Sequence, residues 1–183
     1  MTMKGVVFTE FLDHVEAELG VIQTQRIIDR CELESEGAYT SVGTYPCAEM
    51  SQLIGAVSQT TGRCPTTLLK AFGHHLASSF RQGYPAYFEV ADFFDFVESI
   101  DSHIHVEVQK LYADAELPEF HIIMRTDDTL VVDYISSRAL EHLAYGLLEA
   151  SAQAFGETVA MHMTPRGDGS SRVVRFQLER RPQ

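Results

Sequence analysis

Apolar residues in the front half of the chain recur every three or four positions. Phe8, Phe11, Leu12, Val15 and Leu19 share one helical face, and Gly20 is placed to end that helix. Met50, Leu53, Ile54 and Val57 repeat the pattern, with Gly62 as the stop. Pro65 stands where a first helical residue often does, ahead of Leu68, Leu69, Phe72, Leu76 and Phe80. Between these helices, ELESEGAYTSVGTYP (residues 32–46) is rich in Gly, Ser and Thr and predicts a loop. A longer helix is expected over residues 91–111, where Phe93, Val97, Ile100, Ile104, Val108 and Leu111 form one continuous stripe.

After Pro118 the period changes from 3.6 to 2. FHIIMRT and TLVVDYI flank Asp127-Asp128 and predict a hairpin. On its second strand Leu130, Val132, Tyr134 and Ser136 take one face, and Val131, Asp133 and Ile135 the other. Ser136 or Ser137 can cap a following helix over 138–154 with an inner face of Leu140, Leu143, Leu147 and Ala150. TVAMHMT and RVVRFQLE are two last strands, joined by PRGDGSS with its Gly-Asp-Gly turn. The sum is an α+β fold: a helical N-terminal lobe over about 1–82, and a lobe over about 83–183 with helices and an antiparallel sheet of about four strands. At 183 residues the chain suits one domain.

Charge narrows the partners. With 14 Lys and Arg against 26 Asp and Glu, the net charge is −12, and the basic residues are scattered. Nucleic acid and anionic membrane surfaces both need concentrated positive charge, so neither is expected as a partner. No basic stretch followed by an apolar run opens the chain, and no apolar run is long enough to span a membrane. The expected location is the cytoplasm. Cys31, Cys47 and Cys64 form no CxxC, which predicts buried or idle thiols rather than disulfides or a zinc site.

Two constellations offer chemistry. Tyr134, Ser136 and Arg138 bring a phenol, a hydroxyl and a guanidinium fork to one strand end, a set suited to carboxylates. By spacing alone the plainer assignment comes first: a capping Ser, a surface Arg and a Tyr packed on the sheet. Among eight histidines, His14, His121, His142 and His162 are isolated, and the adjacent His74 and His75 point roughly 100° apart on their helix. His103 and His105 lie roughly 200° apart around theirs, so only one faces inward; His105 borders the apolar stripe, but geometry does not choose between them. There is no nucleophile elbow, HExxH, Walker loop or GxGxxG to support catalysis.

With DSHIHVEVQKLYADAELP and YISSR in hand, the chain resembles the heme nitric-oxide/oxygen-binding (H-NOX) family, bacterial relatives of the heme domain of soluble guanylate cyclase. The resemblance runs from MKGVVFTEFL through ESEGAYTSVGTY and LLKAFGHHLASSF to the triplet, and the residues before Met3 read as an extension. It implies heme b between the two lobes, with His105 as axial iron ligand and His103 as bystander. It further implies Tyr134, Ser136 and Arg138 on the two propionates, and Pro118 pressing on the porphyrin. Proximal histidine ligation leaves the sixth iron position open to a diatomic gas.

Oxygen-binding members hold their ligand with a distal Tyr, supported by a Trp and an Asn. Leu143, Phe11 and Leu76 stand at the matching positions, and none of them has a side-chain donor. Val7, Phe80 and Leu147 are further wall residues, or ordinary core. The resemblance therefore implies a non-catalytic bacterial sensor that binds nitric oxide, and carbon monoxide, but not oxygen. Ligand binding would weaken the iron–His105 bond and alter a histidine kinase or a cyclic-di-GMP enzyme, either a diguanylate cyclase or a phosphodiesterase. RRPQ comes after the last strand and leaves no room for an output domain, so that enzyme is expected to act in trans. The alternatives are a passive heme or gas-binding protein without output, and a fold that has lost its heme.

Overall fold

Two apolar clusters organise the computed structural model, which describes residues 1–167 and 172–181. The first is built by α1 (Gly5–Leu19), α2 (Val21–Ile28), α3 (Cys47–Thr61) and α4 (Pro65–Gly83). Phe8, Phe11, Val15, Met50, Leu53, Leu68, Phe72 and Leu76 meet in it, as their spacing predicts. Gly20 and Gly62 end α1 and α3 with positive φ, and Pro65 opens α4. The pattern does not reveal α2, because only Thr24 and Ile27 of its residues are buried and no stripe forms. The loop after it is fastened by Glu49, only 2% exposed, which accepts from the Ser35 amide, the Ser35 hydroxyl and the Tyr39 phenol. Within the expected loop, β2 (Thr44–Pro46) pairs antiparallel with β1 (Thr2–Lys4), a ribbon too short to leave an alternating signature.

The second cluster lies on an antiparallel sheet in the order β3-β4-β6-β5, formed by β3 (Glu119–Arg125), β4 (Thr129–Ser136), β5 (Val159–Arg166) and β6 (Arg172–Arg180). Leu130, Val132 and Tyr134 face inward against Phe93, Val97, Phe176 and Leu178, as alternation predicts. Most of the turn expected at Gly-Asp-Gly lies outside the described residues. On the other face of β4, Asp133 takes two hydrogen bonds of 2.7 Å from Arg175. The Arg175 guanidinium holds the Asp133 carboxyl below its ordinary range. The pair therefore stabilises the fold above the unfolded carboxyl's pKa of about 4, and that contribution drains away as pH falls through the lower folded value. Asp133→Asn is expected to destabilise the fold at pH 7 and progressively less below pH 4. Urea unfolding across that range measures it, and an equal cost at every pH would count against the pair.

Two expected helices differ in detail. The one expected over 91–111 is α5 (Phe93–Ser99) and α6 (His105–Leu111), joined by a π turn over Ile100–Ile104 in which the His105 amide reaches Ile100 O. The turn inserts a residue into the helical register and rotates the downstream helix by roughly 100°. The single stripe thus ends near Ile100, and Leu111 is 74% exposed. The helix expected over 138–154 is α7 (Glu141–Ala154), and neither serine caps it. Ser136 Oγ instead accepts the Arg138 amide at 3.1 Å, and Leu140 precedes the helix without a side-chain cap.

α7 is buried on two sides. Leu140, Leu143 and Leu147 meet the first cluster, while Ala144, Leu148 and Ala152 meet the second; Ala150 belongs to neither. Its crossing with α4 is backbone on backbone. A Cβ on Gly146 would overlap the carbonyl of Lys70, and one on Gly73 would overlap that of Leu143. The three thiols are free, as expected; Cys31 and Cys47 are half-buried and Cys64 is exposed. Among the described residues no helix is long and apolar enough to cross a membrane.

Candidate functional site

β4 delivers Tyr134 and Ser136 to the inner face of the sheet at its end, and the chain then turns through Arg138. The three are 4%, 6% and 8% exposed, so Arg138 is no surface arginine. Burial pushes the Tyr134 phenol pKa up, which keeps its proton in place as a donor. Arg138 Nη1 donates to Thr2 O at 3.0 Å, and Nη2 donates to Glu116 O. Among the described residues no carboxylate lies within ion-pair distance of this guanidinium. A buried cation answered only by neutral carbonyls favours an anion beside it. Thr2 is thus part of the site, although the residues before Met3 read as an extension; Met1 O likewise accepts the Cys47 amide.

His105 opens α6, directly after the π turn. Its Nδ1 lies 2.7 Å from Asp101 Oδ1, and the other Asp101 oxygen accepts the Phe120 amide of β3. Burial raises the Asp101 pKa, but the hydrogen bonds from His105 and Phe120 outweigh it and hold the carboxyl below its ordinary value. Asp101 is the ring's hydrogen-bond partner among the described residues, which leaves Nε2 with a lone pair to offer. His103, by contrast, is exposed and rests edge-on to Tyr87. A line of rings joins the histidine to the triplet: His105 to Phe120 at 6.0 Å, and Phe120 to Tyr134 at 5.3 Å. Pro118 is half-buried in the segment between α6 and β3.

Phe11, Leu76 and Leu143 are all buried in the first cluster, with Val7, Phe80 and Leu147 packed against it. None of the six has a side-chain hydrogen-bond donor. His74 and His75 diverge as predicted, to Glu149 on α7 and Glu10 on α1. Two open surface depressions, one beside Ile28 and Leu33 and one beside Leu19 and Arg63, contain none of the candidate residues.

Asp101, Phe120 and the carbonyls of Thr2 and Glu116 are not singled out by the sequence. Asp101 does carry a signal, since an acid four residues before a helical histidine shares its face. The carbonyls carry none. These residues fit a heme: an imidazole with its Nε2 free, a buried guanidinium with a phenol and a hydroxyl for two carboxylates, and apolar side chains for a flat ring. The cofactor would supply an iron able to bind a diatomic gas.

Comparison with known proteins agrees. Residues 4–163 match the haem-NO-binding family. The Fe(II) unliganded A71G mutant of the H-NOX protein from K. algicida is 39% identical, with a TM-score of 0.91 over 99% of this chain and 98% of that one. The IWP-051-bound H-NOX from Shewanella woodyi, in the Fe(II)CO state, is 38% identical, with a TM-score of 0.84 over 98% of this chain and 95% of that one. No curated protein matches. A helical lobe on an antiparallel sheet, a histidine held by its Nδ1 and a buried arginine bonded to two carbonyls thus meet in a chain that belongs to the haem-NO-binding family, as an H-NOX heme- and gas-binding domain.

Proposed function

We propose that this domain is a bacterial cytoplasmic nitric-oxide sensor, without catalytic activity, that carries heme b on His105. The observation that supports nitric oxide over oxygen is the wall formed by Phe11, Leu76 and Leu143, with Val7, Phe80 and Leu147 behind it. Bound oxygen is polar and gains from a hydrogen-bond donor; nitric oxide and carbon monoxide need none. Arg138 would hold one propionate while Tyr134 and Ser136 would donate to the pair, and Pro118 would bear on the porphyrin.

His105 is the group that responds. With heme bound, loosening of His105 by nitric oxide would free α6 to relax, and the lobes would shift where α4 crosses α7. A separate histidine kinase or cyclic-di-GMP enzyme reads that shift. The switching free energy is the difference in ligand affinity between two conformations.

Absorption spectra of the reduced protein under nitrogen, air, carbon monoxide and nitric oxide test the ligand choice. Distinct spectra are expected with the last two gases and no stable oxygen complex in air; such a complex would end the proposal. Capture of the partner enzyme, assayed with and without nitric oxide, tests the output, and an unchanged activity would leave a passive gas-binding protein. Leu143→Tyr places a phenol in the wall, at an overpacking cost of about 1–3 kcal/mol. This variant is expected to gain a long-lived spectrum in air, and an unaltered air spectrum would count against Leu143 as a wall residue.

A further inference from the structure

Asp101 spends both oxygens at once. It lies in the π turn four residues before His105, so the two side chains leave the helix on the same side. Oδ1 holds His105 Nδ1 at 2.7 Å, while Oδ2 takes the amide of Phe120 on the edge strand β3. No Lys or Arg lies within ion-pair distance of this carboxylate among the described residues, so its charge is answered by the ring N–H and one amide. A carboxylate gripped from two sides cannot swing away. It fixes the histidine with the proton on Nδ1 and the lone pair on Nε2, and it makes the ring a stronger donor.

The same strand is fastened a second time. Arg125, at the far end of β3, binds Asp95 at 2.7 Å and Glu98 at 2.6 Å on α5. The helical segment that carries His105 is therefore tied to β3 twice, once ahead of the π turn and once within it. The tie ahead of the turn is partly exposed and ordinary, whereas the one within it ends on the imidazole itself.

We propose that Asp101 is a positioning residue that sets the tautomer and donor strength of His105 and couples that ring to edge strand β3. This rests on His105 being the axial ligand. The test uses the holoprotein with Asp101→Asn and Asp101→Ala, and His105→Gly in parallel. The iron–histidine stretching band of the reduced protein is expected at lower frequency in both Asp101 variants. Heme transfer to an excess of a heme-accepting apoprotein should be about tenfold faster or more. Hydrogen exchange at the Phe120 amide should respond to nitric oxide in the unaltered protein and lose that response in Asp101→Ala. Should the alanine variant not fold, the isosteric asparagine variant carries the spectroscopic comparison alone.

An unshifted band in a folded Asp101 variant would overturn the positioning role while leaving the ligand in place. Heme retained by His105→Gly without added imidazole would overturn the ligand assignment instead, and the proposal with it.

Discussion

His105→Gly is expected to purify without heme and to regain a Soret band when imidazole is supplied, whereas His103→Ala keeps its full heme content. The expectation rests on the different settings of the two rings. His105 is half-buried, with Nδ1 engaged by Asp101 and Nε2 unspent. His103 is exposed, and among the described residues its ring meets Tyr87, so its truncation should cost under about 0.5 kcal/mol. Glycine at 105 leaves a ring-sized space with the Asp101 carboxylate still tethered to the Phe120 amide, ready to accept the N–H of a supplied imidazole. The glycine itself costs about 1 kcal/mol of helix stability, so circular dichroism of the heme-free variant is the control for folding. Heme content per chain decides the matter. Loss of heme from His103→Ala, with retention in His105→Gly, would move the axial ligand two residues upstream.

How far the sequence discloses the fold depends on how each residue is used. The stripes of α1, α3 and α4 are legible because each helix faces one cluster, and β4 because its alternation separates the inward Leu130, Val132 and Tyr134 from the outward Asp133. The start and the faces of α7 are not legible because it is sandwiched: Leu143 serves one core and Leu148 the other, which blurs any single period. The π turn is invisible, since its signal is a backbone hydrogen bond from His105 to Ile100 rather than a residue type. That turn is also why spacing cannot choose between His103 and His105. The triplet is legible as a pattern but undecided in meaning, because burial separates a surface arginine from an internal one and burial depends on the whole fold. Thr2 and Glu116 contribute only carbonyls, and a carbonyl carries no trace of its side chain.

Arg138→Ala is expected to weaken the fold and the heme site together, and Arg138→Lys to separate the two effects. The guanidinium spans two distant pieces of chain, the carbonyl of Thr2 on β1 and that of Glu116 ahead of β3. Alanine removes both donors from two partly exposed carbonyls, at about 1 kcal/mol for each hydrogen bond lost. Water can reach both carbonyls and recover part of this, so a net loss of about 1–2 kcal/mol is expected in the heme-free protein. For a chain of this size each kcal/mol moves the melting midpoint by about 2–4 °C. Lysine keeps the charge but is a point donor that cannot fork, so it can satisfy one carbonyl or one propionate geometry, not the pair. The heme-free lysine variant should therefore melt between the alanine variant and the unaltered protein. It should also bind heme more tightly than alanine does, because two propionates still meet a positive charge. If Arg138 served the fold alone, alanine and lysine would bind heme equally once compared at a temperature where both are folded. That equality would remove the anion from the site.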